Sequence, residues 1–178
     1  MATTYSNDNN AEKAKIEAIM STEVAKRLIA EAKRDEPSVV GEIENNRGAL
    51  QLLASTHWIG KFFEAPPGSV GAGEMIMFSH NGSKGAFIYG EPEGSSNAAA
   101  YLLAWNFSSG TFMVYVRCGP VSEVFHDGWE SETLTRLNSA ATESYATHAG
   151  TSSSAQARIT NATGTFPLGT IIAIYRSI

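Results

Sequence analysis

The chain has 178 residues, 43% of them hydrophobic and 10% aromatic, which suits one domain able to bury a full core with at most a short appendage. Only 17% are charged and the net charge is −5, so intrinsic disorder and adhesion to nucleic acid or anionic membranes through a basic surface are disfavoured. The single cysteine, Cys118, excludes an internal disulfide and a thiolate zinc cluster.

The first residues show neither a basic n-region nor an apolar h-region, so the expectation is cytoplasmic synthesis without a signal peptide. No stretch has the apolar length of a membrane-spanning helix. Residues 10–35 carry a helical stripe in which Ile16, Met20, Val24 and Leu28 recur every four positions. Asn9 with Glu12 resembles a capping box, Ser21-Thr22 is a point where the helix can break in two, and Pro37 closes the segment. Lys and Arg balance Glu and Asp along this stretch, unlike a surface-bound membrane helix. The segment 1–49 is therefore expected to be helical and to pack on a body formed by 50–178.

From residue 50 the hydrophobic period changes to two. Residues 74–79, 85–90, 98–106, 111–118, 158–160 and 170–176 read as strands, separated by glycine, proline and serine turns. The pair 98–107 and 111–117, joined by Ser108-Ser109-Gly110, reads as a hairpin. Met113, Tyr115 and Arg117 fall on one face of its second strand, and Phe112, Val114 and Val116 on the other. Residues 130–144, with Leu134, Leu137 and Ala141, read as one helix packed on the sheet. Many short strands at regular spacing point to an antiparallel sandwich.

Signals for catalysis are weak. There is no phosphate loop, no nucleophile elbow and no metal-ligand spacing among His57, His80, His126 and His148. A Cys118–His126 pair or the carboxylates Glu91/Glu93 and Glu130/Glu132 would have to converge in space to act, and the sequence gives no sign that they do. No enzyme activity, cofactor, metal or nucleic-acid partner is expected. What stands out is a set of rings, Trp58, Trp105 and Trp129 near strand ends and turns, with Phe107, Phe125 and Phe62-Phe63 close to them in sequence and polar neighbours around. Such rings suit sites that are half apolar and half wet.

The run Ala99 to Asn106, followed by Met113 to Val121, resembles the central signature of the family of plant jasmonate-induced proteins and the mushroom lipid-binding protein nakanori. His57-Trp58-Ile59-Gly60, the Pro66-Pro67-Gly68 turn, Ser79-His80 and Gly128-Trp129-Glu130 fit the same order of segments. Beyond it lies the broader actinoporin-like group. The resemblance implies a mainly β fold, an actinoporin-like antiparallel β-sandwich with flanking helices. It also implies binding of membrane lipids, with sphingomyelin and cholesterol as the partner surface. By segment match the headgroup hydroxyl position falls near Asn106 and the proline position near Ser108. The tyrosine cluster falls near Trp129, Thr133 and Leu134, of which only Trp129 keeps a ring. The expected headgroup set is Trp58, Tyr89, Asn106, Phe107, Ser108, Phe125 and Trp129. The polar, charge-balanced N-terminus departs from a pore former, so lipid binding is expected ahead of an actinoporin-like cytolysin or a carbohydrate-binding defence protein.

Overall fold

The computed structural model describes residues 5–31, 36–92, 94, 97–108, 110–162 and 167–178. Residues 32–35, Glu93 and Ser109, named above, lie outside the described residues. The N-terminal stripe folds as two helices, α1 (Tyr5–Met20) and α2 (Glu23–Glu31), separated at Ser21-Thr22. The Ser21 and Thr22 hydroxyls donate to the Ala18 and Ile19 carbonyls, both at 2.7 Å, and Thr22 Oγ1 accepts from the Ala25 N–H at 3.2 Å. One threonine thus closes α1 and caps α2. Asn9 is not a cap, because α1 already starts at Tyr5, and Glu12 pairs with Arg158 rather than with its own backbone.

Residues 38–46, read from sequence as part of the helical segment, instead form strand β1 (Ser38–Asn46). Val39 and Ile43 join the apolar core while Glu42 and Glu44, in the opposite phase, stay partly exposed. That alternation has period two, which a strand can bury on one face and a helix cannot. The sheet therefore begins at 38, not at 50.

β4 (Met75–Gly90) is shared by both layers of the sandwich. Its first half pairs antiparallel with β1, and its second half with β5 (Ala99–Ser108). β1 runs parallel to β9 (Leu168–Ser177), and β8 (Ser153–Ala162) and β7 (Glu143–His148) complete that layer. In the other layer β5 turns back into β6 (Thr111–Pro120), as the hairpin pattern predicts. β2 (Leu50–Glu64) and the short β3 (Ser69–Val70) lie on the far side of β4. The result is a β-sandwich with one parallel pair, β1/β9, where an all-antiparallel one was expected.

The inner faces meet in a core built around Phe78, Phe87, Tyr89, Trp105 and Tyr175. Trp105 packs edge-on or tilted against Phe78, Phe87 and Phe62 at centroid distances of 5.1, 5.8 and 6.1 Å. α1 and α2 cover the outer face of the β1 layer, with Ile19, Ala25 and Leu28 against Val40, Ala162 and Leu168. α3 (Val121–Val124) and α4 (Trp129–Leu137) cover the outer face of the β5 layer, with Val124, Trp129 and Leu137 against Ile88, Ala100 and Leu102. α4 ends seven residues short of the predicted helix. Asn138, Ser139 and Ala140 close it with backbone turns to Leu134, Arg136 and Leu137. The chain then enters β7, whose exposure alternates residue by residue.

Candidate functional site

β5 is covered on both sides, by the sandwich core and by α4, so its alternation sorts the predicted headgroup residues. Tyr101, Leu103, Trp105 and Phe107 face the core, while Ala100, Leu102, Ala104 and, in the same phase, Asn106 face outward. Phe107 is therefore an interior residue. Its ring stacks on Phe112 at 5.0 Å and lies so close to Gly169 that a Cβ there would fall 2.8 Å from it. Tyr89 is also interior, with its hydroxyl donating to the Pro67 carbonyl. Burial pushes its phenol well above its ordinary value, and that of its core neighbour Tyr101 as well, so both stay protonated. Neither Tyr89 nor Phe107 reaches a surface, which corrects the aromatic-loop expectation at these two positions.

The other predicted residues do cluster on the outward face of this layer or beside it. The register places Ile59, Lys84, Asn106 and Met113 in one row across β2, β4, β5 and β6. The next row in the same phase is Thr56, Ala86, Ala104 and Tyr115. Trp58 sits where β2 bulges between His57 and Ile59, and packs with Met113 and Tyr115 against the cluster that contains Trp129. The bulge lets an extra residue project without breaking the strand. Trp58, Met113 and Tyr115 are half-buried, and Ile59 is 52% exposed. Asn106 is largely buried between Lys84 and Met113 in register, and Ser108 is half-buried at the end of β5.

Two features give this face its chemistry. Lys84 makes no ion pair among the described residues, which leaves an unpaired cation beside the Asn106 amide. Burial pushes the Tyr115 phenol above its ordinary value, with Arg117 and Arg136 pulling the other way, so it is a hydroxyl donor at neutral pH. Trp58, Tyr115, Lys84 and Asn106 thus offer ring faces for a cation and donors for an anion.

Phe125 and Trp129 belong to the α3–α4 turn. Phe125 is 39% exposed, whereas Trp129 is only 7% exposed and turns its ring down onto the sheet. An open depression of about 430 Å³ lies over residues 125–131. Gly128 starts α4 at φ +86°, a left-handed conformation that glycine adopts without cost. Glu132 holds the turn in place, accepting from Arg117 of β6 at 2.9 Å and facing His126 Nε2 at 3.2 Å. His126 is thus tied to Glu132, not to Cys118, whose thiol is in the core against the Ser153 carbonyl at 3.5 Å and is pushed up by burial. Glu91 is likewise committed, to Arg47 at 2.7 Å. The sequence reading missed Ile59, Lys84, Met113 and Tyr115. The alternation of β6 already put Met113 and Tyr115 on one face, but nothing local marked that face as the outward one.

Among solved structures, the lipid-binding protein nakanori superposes with a TM-score of 0.71 at 15% identity, over 95% of this chain and 80% of its own. The chain has the nakanori fold. A lectin from Xerocomus chrysenteron superposes less closely, with a TM-score of 0.51 at 13% identity, over 79% of this chain and 99% of the lectin. No family model matches the chain, and no curated protein is similar to it in sequence. The likeness to nakanori extends over the flanking helices as well as the sandwich, since it takes in nearly all of this chain. The likeness to the lectin takes in about four-fifths of it.

Proposed function

We propose that this protein binds membrane lipid through the outward face of the β2–β4–β5–β6 layer, and that the preferred surface is a choline phospholipid, sphingomyelin, presented with cholesterol. The observation that carries the reading is the juxtaposition of Trp58, Tyr115 and Met113 with Lys84 and Asn106 on one half-buried surface. Rings beside a trimethylammonium group contribute about 0.5–2 kcal/mol by cation–π attraction. A lysine, an amide and a phenol are suitable donors to the adjoining phosphate. Ile59, and Phe125 at the rim of the neighbouring turn, are apolar side chains already facing water that would enter the interface. The fold shared with a protein named for lipid binding supports the same reading.

The test is sedimentation of the full chain with vesicles of phosphatidylcholine alone, of sphingomyelin, and of sphingomyelin with cholesterol. Pelleting that is strongest with the last composition and falls about tenfold in Trp58→Ala or Tyr115→Ala supports the proposal. No lipid-dependent pelleting, or pelleting unchanged in both variants, overturns it. Release of trapped dye in the same vesicles would instead identify a pore former.

A further inference from the structure

A second concavity lies on the opposite layer from the lipid face. It is a groove of about 810 Å³ floored by β7, β8 and β9 and walled on one side by α1. Its volume is that of an ordinary small-molecule site. Cross-strand register lines up Tyr145, Gln156 and Ile174 in one row, with Arg176 one step along β9 opposite Ser154. The Tyr145 ring is 67% exposed, an unusual position for a large aromatic side chain on a regular strand.

The charges in this groove are unequally committed. Arg158 is held by Glu12 and Glu143, and Lys15 by Glu42 and Glu44 at 3.3 and 3.5 Å. Arg176 lines the same groove and makes no ion pair among the described residues. Neither the Gln156 amide nor the Tyr145 hydroxyl makes a hydrogen bond among the described residues. An exposed ring, an unbonded amide and a guanidinium that feels the Glu44 carboxylate without pairing with it therefore share one concave surface, whose three lining cations face Glu12 and Glu143 in the lining and Glu42 and Glu44 beside it.

We infer that this groove binds an acidic saccharide, a sugar carrying a carboxylate. A pyranose ring presents an apolar C–H face that stacks on an aromatic ring, which Tyr145 supplies. Its hydroxyls or acetamido group need a side chain that both donates and accepts, which Gln156 supplies. Its carboxylate matches the planar fork of Arg176, the geometry in which guanidinium binds carboxylate through two parallel hydrogen bonds. A simple anion would use the arginine but not the ring, and a neutral sugar would use the ring but leave the arginine idle. The combination selects the acidic sugar. The site is separate from the lipid face, so either assignment can fail without the other.

The test is calorimetric titration of the full chain with 3′-sialyllactose, lactose and inorganic phosphate, and in parallel sedimentation with ganglioside-bearing vesicles. The expected result is binding of sialyllactose at least about tenfold tighter than either lactose or phosphate. Tyr145→Ala and Arg176→Gln should each weaken it about tenfold, while Tyr145→Phe keeps most of it because the ring remains. Both positions are exposed, so thermal unfolding of the variants should match the parent. Ganglioside vesicles that bind and are released by free sialyllactose identify a glycolipid as one source of the sugar. Absence of sialyllactose binding, equal binding of lactose or phosphate, or binding unchanged in Tyr145→Ala and Arg176→Gln overturns the inference, as does vesicle binding without binding of the free trisaccharide.

Discussion

His80 is fully buried, its ring packed edge-on against Phe62 and Trp105 at 5.3 and 5.4 Å. Its Nδ1 faces the Gly82 carbonyl at 3.0 Å and must donate to it, since a carbonyl can only accept. Nε2 is then a bare acceptor with no partner among the described residues. Burial pushes the imidazole down to about 4 from its ordinary 6.5, with the Gly82 hydrogen bond opposing and the nearby His57 reinforcing. Between those two pH values the unfolded chain holds a proton that the folded chain does not, so stability falls as pH drops through this window, by about 3 kcal/mol in all. Urea unfolding midpoints measured from pH 7 down to 4 should show that slope, and His80→Phe should flatten its upper part between pH 6.5 and 5. A parent and variant with the same slope would remove His80 as the cause. The same burial explains why the site was only half legible residue by residue. The run 98–106 is apolar throughout, and a strand covered on both faces gives no contrast between inside and outside. Phe107 and Tyr89 therefore looked as available as Trp58. Trp58 and Asn106 were readable as candidates, whereas Lys84 and Tyr115 became visible only when the register put them beside those residues.

At the scale of elements, the end of the sandwich is held by one arginine. Arg47, in the turn between β1 and β2, donates to Glu91 through Nε at 2.7 Å, to the Ser152 carbonyl through Nη1 at 2.7 Å and to the Thr151 carbonyl through Nη2 at 3.0 Å. Glu91 also accepts from the Ala99 N–H at 2.9 Å, where β5 begins. Burial pushes the Glu91 carboxyl up, but Arg47 and the Ala99 N–H outweigh it and hold it below its ordinary value. Both side chains are mostly hidden, 12% and 17% exposed. Arg47→Ala should therefore cost about 3 kcal/mol or more, because it leaves a carboxylate and two carbonyls unpaired in a poorly solvated place. Denaturant unfolding measures this, and Glu91→Gln, which keeps an acceptor for Ala99, should cost less. A loss below about 1 kcal/mol in Arg47→Ala would mean water replaces the guanidinium freely. None of this staple is local in sequence, so no spacing rule could find it. The hairpin β5–β6 was readable because its turn and both its strands are contiguous. β1 was misread because its glutamates, interleaved with valine and isoleucine, look like the charged helix before them.

The whole molecule presents two faces that are attached to it by different forces. α2 is held mainly by apolar packing, through Ala25 and Leu28 against Val40, Ala162 and Leu168, with the exposed Arg27–Glu64 ion pair beside it. Of α1, Ile19 and Met20 at the C-terminal end join that cluster, whereas Glu12 and Lys15 connect to the sheet through ion pairs with Arg158, Glu42 and Glu44. Partly exposed ion pairs contribute about 0–1 kcal/mol each and weaken with salt. Raising ionic strength from about 0.1 M to 1 M shortens the screening length from about 10 Å to 3 Å, which reaches pair distances. Amide hydrogen exchange should therefore speed up in the first turns of α1 while α2 and β1 keep their protection. The proposed lipid face carries Lys84, without an ion pair among the described residues, and a majority of uncharged side chains, so vesicle binding should change by less than about threefold over the same range. Measuring exchange and sedimentation on the same samples separates the two. If α1 and α2 lose protection together, the helices are one apolar unit and the ionic account of α1 is wrong. If lipid binding collapses with salt while α1 loosens, the docking surface draws on the charges around α1 and not on the rings of the β2–β6 face.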